Sequence, residues 1–151
     1  MCNLYKYRQK VLKFVQNLCI LPMSNTRSTF MTYNKDKVKI QTSNILLQIG
    51  IPGNVAGSKY LLRAVEIAIN NPMSVMSVTK NIYPIIAMEY NTKATNIERS
   101  IRHAIEISWN KNKIVGLNQL FGIEIYSKKE KPTNSEFIAL LAERIPFLIT
   151  K

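Results

Sequence analysis

Two arginines, a glutamate and a histidine crowd into six residues, as Glu98, Arg99, Arg102 and His103, with Lys93, Thr95 and Asn96 just before them. These side chains suit one kind of chemistry. A guanidinium donates two parallel hydrogen bonds to guanine O6 and N7, and a carboxylate accepts from cytosine N4; a good bidentate pair is worth about 1–3 kcal/mol of discrimination. Ammonium and short polar groups donate to phosphate, which positions a protein on a duplex without reading it. On a helix turning by about 100° per residue, Ile97, Ile101, Ala104 and Ser108 form one stripe with Ile105 beside it. Thr95, Arg99, Arg102 and Glu106 then project from the opposite side, with Glu98 and His103 on the shoulders. Such a helix buries one face and offers the other, N-terminal half first, to the major groove.

Plainer readings stand beside this one. Glu98 follows Thr95 by three residues, the spacing of a capping box. Glu98–Arg102 and Arg102–Glu106 are i,i+4 pairs, which belong equally well to a solvated helix face. His103 is the lone histidine, a surface or phosphate-facing group rather than a metal ligand or catalyst.

The flanking sequence supplies the elements that would position these residues. Residues 82–90 read as a short helix with Pro84 in its opening turn, and 91–94 as a polar break before the helix over 95–110. That is the layout of a helix-turn-helix, with Lys80 just upstream placed to contact phosphate. Elsewhere Ser58 can cap a helix over 58–70 that carries Leu61, Leu62, Val65 and Ile69 and ends at Pro72. The apolar run 45–49 enters a Gly-Ile-Pro-Gly turn, 74–80 is a further helical piece, and 115–121 is a short helix stopped by Gly122. Residues 123–126 alternate enough for a short extended piece. Thr133 and Glu136 have capping-box spacing and open a helix through Arg144, stopped before Pro146. Trp109, Met73, Met76 and Met88 read as core. The class expected is all-α, a compact multi-helix domain preceded by a basic arm.

Composition agrees. The chain has 151 residues, 21 Lys and Arg against 9 Asp and Glu, and a net charge of +12. That makes a polyanion the default partner, nucleic acid before anionic lipid. Residues 1–40 hold eight of the basic residues and one acid, Asp36, so a quarter of the chain carries more than half the net charge. The expected organisation is a basic arm and linker over 1–42, a DNA-binding domain over 43–146 and a tail over 147–151. Within the arm Leu4, Tyr7, Val11, Phe14 and Leu18 recur at helical spacing, and 22–41 has a linker's composition. No apolar run approaches a membrane span of about 20 residues. The basic start and the run 14–21, broken by Gln16 and Asn17, lack the cleavage site of a secretory signal. Two cysteines, Cys2 and Cys19, and one histidine point to a reduced, cytoplasmic protein without metal or cofactor, and no nucleophile–base pair or phosphate loop suggests an enzyme.

The strings Ile97-Glu-Arg-Ser-Ile-Arg-His-Ala-Ile-Glu106, Trp109, Leu120-Phe-Gly122 and Lys131-Pro-Thr-Asn-Ser-Glu-Phe-Ile-Ala139 closely resemble the DNA-binding effector domain of the master sporulation response regulator of endospore-forming Firmicutes. The resemblance extends upstream through Ile49-Gly-Ile-Pro52, Tyr60-Leu61, Thr79-Lys80 and Tyr83-Pro84 and covers about residues 43–146. It implies an all-helical domain that binds a TGNCGAA-type box, often in tandem, and activates or represses transcription through RNA polymerase and its sigma factor. It implies base reading at the positions of Asn96, Glu98 and Arg99, a further DNA contact at Arg102, and a sigma-factor region over 113–121.

Three departures qualify the resemblance. Residues 1–42 are too short for the family's receiver domain, so control by phosphorylation and the dimerisation it drives do not carry over. Asn96 stands where the family commonly has arginine, which relaxes reading at one base. The helix over 58–70 is reshuffled, with Arg63 one place later than the family's Arg-Glu pair. The expectation is a sequence-specific regulator of double-stranded DNA, pairing on tandem sites. The rival is a protein–protein modulator that antagonises the full-length regulator or the sigma factor.

Overall fold

A computed structural model describes Gln9, residues 33–127 and residues 129–150. The amphipathic pattern of the arm and most of the linker lie outside the described residues.

The first described helix, α1 (Lys35–Gln48), begins inside the segment whose composition reads as a linker. Asn34 caps it, its side-chain oxygen accepting from the N–H groups of Asp36 at 2.9 Å and Lys37 at 3.4 Å. Val38, Thr42, Ile45 and Leu46 form its buried stripe, and Thr42 satisfies its own hydroxyl by donating to the Val38 carbonyl at 2.7 Å. The lysines and polar residues that suggested a linker are the solvent face of this helix.

After the Gly50–Gly53 turn comes α2 (Ala56–Asn70). Its N-cap is Val55, without a side-chain cap, and Ser58 is buried in the first turn instead of capping it. A 3-10 helix (Pro72–Ser77), α3 (Val78–Asn81) and α4 (Tyr83–Glu89) follow. Then come α5 (Ala94–Asn110), α6 (Gly116–Phe121) and α7 (Asn134–Ile149). No strand occurs among the described residues, and the class is all-α as expected.

Helix α2 is the hub, packing against α1, α5 and α7, while α4 packs on α5. The core between them is dominated by Ile45, Leu61, Ile86, Ile97, Ile101, Phe137, Leu140 and Leu141, all essentially buried. Ser108 sits among them and donates to the Ile49 carbonyl at 2.6 Å, which ties α5 to the end of α1. Trp109 is half-buried against this core.

Two further expectations change. Met73, Met76 and Met88 are 45%, 50% and 84% exposed; in the 3-10 helix the buried position belongs to Ser74, whose hydroxyl donates to the Asn71 carbonyl at 2.6 Å. Helix α7 runs on through Pro146 to Ile149, not stopping at Arg144. Proline forfeits one helical hydrogen bond, but Leu148 and Ile149 pack against the core, and that burial favours the extra turn.

Residues 123–126, read as a short extended piece, pair with no strand among the described residues. The Asn118 side chain does the work of a neighbouring strand: its oxygen accepts from the N–H groups of Ile125 and Tyr126 at 2.8 and 2.9 Å, and its amide donates to the Tyr126 carbonyl at 2.7 Å. Asn118→Ala leaves three partly buried backbone groups without that partner and is expected to cost about 2 kcal/mol in urea unfolding. A change under about 0.5 kcal/mol, the size of an ordinary surface substitution, would mean the segment holds without it.

Candidate nucleic-acid interface

Helix α4 ends in a Schellman motif. Asn91 takes the left-handed conformation at φ 49°. The Thr92 N–H reaches back to the Ala87 carbonyl at 2.9 Å, and the Asn91 N–H to that of Met88 at 3.3 Å. Lys93 is then extended and serves as N-cap of α5, whose first turn has no side-chain cap. Helix, four-residue turn and helix follow in the order the sequence suggests, with Pro84 in the opening turn of α4.

The α5 stripe is buried as the periodicity requires: Ile97, Ile101, Ala104, Ile105 and Ser108 all face the core. The opposite side carries Thr95, Asn96, Arg99, Arg102 and His103, all exposed, and Glu98 is half-buried. These six side chains are therefore brought together along the N-terminal half of one helix. Lys93 stands exposed at its entrance, and Lys80 is exposed in the last turn of α3.

Their local partners show which of the pairings that spacing allowed are made. The Thr95–Glu98 capping box does not form, because the helix starts at Ala94 and Thr95 lies inside it. Glu98 instead accepts a hydrogen bond from Arg102. The Arg102–Glu106 pair does not form either, because Lys131 reaches Glu106 at 2.8 Å. The Asn96 amide donates to the Thr92 hydroxyl at 3.2 Å, back toward the turn. Arg99 has no hydrogen bond or ion pair among the described residues. Exposed pairs such as Glu98–Arg102 are worth only about 0.3–0.5 kcal/mol, so a duplex can open this one at little cost.

Residues that spacing did not single out support the site from behind. Arg63 of α2 forks onto Glu89, the last residue of α4, at 2.6 and 2.7 Å, and meets Glu66 at 2.9 Å. Lys35 of α1 lies 4.0 Å from the same Glu66. Tyr60 and Tyr90 meet edge to face with ring centroids 5.2 Å apart. Together these contacts brace the turn from which α5 departs.

The hydrogen bonds from Arg63 hold the Glu89 carboxyl below its ordinary value of 4.5. A carboxylate whose pKa is lowered on folding contributes stability that is fully present above its unfolded value and is lost as the pH falls through the folded one. The fold is therefore expected to weaken as the pH drops below about 4.5, and Glu89→Gln to flatten that limb while leaving most of the neutral-pH stability in place. Thermal melts between pH 3 and 7 check it; identical acid limbs for the two proteins would discount the bridge.

The sequence model of one family, described as "Sporulation initiation factor Spo0A C terminal", matches residues 42–145, more than two thirds of the chain. The chain belongs to the Spo0A C-terminal family. Members of this family are DNA-binding effector domains that regulate transcription in sporulation, and double-stranded DNA is accordingly the partner of this domain. The Spo0A C-terminal match begins within α1 and ends within α7, so it spans every element that positions the exposed side of α5. Among the described residues no helix is long and apolar enough to cross a membrane.

Proposed function

We propose that α4 and α5 act as a helix-turn-helix and that the chain reads a TGNCGAA-type box with the exposed side of α5. Arg99 and Glu98 are the principal base readers, and Asn96 contacts a base where a longer donor is common in the family. Thr95, Arg102, His103, Lys93 and Lys80 supply further base-edge or phosphate contacts. The observation that carries this reading is the division of α5 into a fully buried stripe and a solvent-facing set of hydrogen-bonding side chains. A helix docked in this way holds its outer side rigidly, which base discrimination requires.

The same reading holds that the 151-residue chain binds without being phosphorylated, since the side of α5 that meets DNA already faces solvent. It also places a second copy on the adjoining box of a tandem site, and sigma factor against the surface around α6. The test is fluorescence anisotropy of the unphosphorylated chain on a tandem TGNCGAA duplex and on a scrambled duplex, at several salt concentrations. A preference of 1,000-fold or so that survives about 150 mM salt is the expected result. Equal, steeply salt-dependent binding to both duplexes would reject base reading; co-purification of the full-length regulator or sigma factor would then favour the antagonist.

A further inference from the structure

The Lys131-Pro-Thr-Asn-Ser-Glu136 string does more than start a helix. Thr133 and Glu136 close both halves of a capping box, with N–H to side-chain oxygen distances of 3.2 and 2.9 Å. Asn134, the first residue of the helix, takes no part in that cap. Its amide nitrogen donates to two distant acceptors, the Tyr83 hydroxyl at 3.0 Å and the backbone carbonyl of Glu98 at 3.0 Å. A carbonyl can only accept, so the nitrogen and not the oxygen of Asn134 must face Glu98. One partly buried side chain on α7 thus holds the first residue of α4 and the middle of the reading half of α5.

The same segment touches α5 a second time through Lys131 and Glu106. Those contacts lie eight residues apart on the helix, about 12 Å along its axis. The Lys131–Glu106 pair is more than a third exposed on both sides, where ion pairs contribute little. Asn134, by contrast, is partly buried and ties the N-terminal half of α5 to the start of α7.

From this geometry we infer that Asn134 is a positioning residue for base reading: the two hydrogen bonds of its amide nitrogen, to the Tyr83 hydroxyl and to the Glu98 carbonyl, fix the backbone from which the Glu98 and Arg99 side chains depart. The inference rests on the base-reading role proposed above. It makes α7, which carries none of the proposed DNA contacts, a determinant of specificity. Tyr83 contributes by its hydroxyl oxygen, which accepts the Asn134 bond; burial raises the phenol above its ordinary value.

Asn134→Asp separates positioning from folding. It keeps the shape of the side chain and places a carboxylate in the first turn of α7, where the helix dipole favours it, but it removes the N–H that faces the Glu98 carbonyl. Asn134→Ala is the uncharged companion. Both are titrated by anisotropy against the TGNCGAA duplex and against duplexes with each base pair changed in turn, alongside wild type and Glu98→Ala.

The expected result is a cooperative melt for both variants and a fall of about tenfold in discrimination at the base pairs that Glu98→Ala also relaxes, the scale of one base contact. Wild-type discrimination in both variants, or an equal loss on every duplex, would overturn the inference while leaving base reading intact. A wild-type chain that does not discriminate would overturn base reading and the positioning role together. A DNA-free measurement stands beside these: the Glu98 carbonyl 13C resonance should shift in both variants, and an unmoved resonance would show that the bond to Asn134 is not made.

Discussion

Arg99→Ala is expected to lower affinity for the TGNCGAA duplex and discrimination against scrambled DNA together, each by roughly 5- to 150-fold, the equivalent of about 1–3 kcal/mol. Arg99 is singled out over Arg102 by its surroundings. Arg102 is already bonded to Glu98, so part of what it gains on DNA is offset by the pair it gives up. Arg99 is exposed and unpaired among the described residues, so its whole guanidinium is available to a base edge. Because the side chain is exposed, the melting temperature should hardly move, which separates lost recognition from lost fold. Anisotropy on matched and scrambled duplexes decides the role: weakening by the same factor on both would make Arg99 a phosphate contact, not a reader.

Gly57→Ala should destabilise the domain by about 2–3 kcal/mol or more, as overpacking a close helix contact does. A Cβ built on Gly57 would lie 2.1 Å from the Ser100 carbonyl oxygen and 2.8 Å from the Ala104 Cβ. The first obstacle is backbone in the middle of α5, which no side-chain rotation can relieve, so α2 and α5 would have to separate. Helix propensity alone argues the other way, favouring alanine by about 1 kcal/mol. The contact outweighs it because parting the two helices loosens the core along their whole length. Urea unfolding gives the sign: a lowered midpoint is expected, and an unchanged or raised one would mean that the helices have room. On the proposed reading α5 presents its exposed side to DNA, so the variant should also bind the TGNCGAA duplex more weakly at temperatures where it is still folded.

Both predictions concern α5, the element most legible in the sequence. Its apolar stripe at Ile97, Ile101, Ala104, Ile105 and Ser108 is buried as a whole, because a 3.6-residue period with five consistent positions admits few alternatives. The Thr133–Glu136 capping box and the stop at Gly122, in the left-handed conformation at φ 66°, were equally legible. Helix α1 was harder to see: its stripe is only Val38, Thr42, Ile45 and Leu46, and a threonine in the middle reads as polar. The exposed methionines show the converse. Met73, Met76 and Met88 carry apolar side chains that neither the 3-10 helix nor α4 turns inward, and composition does not reveal that.

What the sequence determined by itself was local: the all-helical class, the strings that mark the Spo0A C-terminal family, and which side of α5 faces out. The class and the outward side of α5 depend on residues within about four positions of one another, the range at which period, capping and turn chemistry act. Tertiary structure alone decided the partners. It gave Glu106 to Lys131, 25 residues away, and Asn134 to Tyr83, 51 residues away. It also set the Gly57–Ser100 approach, on which the position of α5 depends. Such choices follow from how whole helices pack, because a side chain bonds to whichever group the packing brings within about 3 Å, however far apart the two lie in the chain.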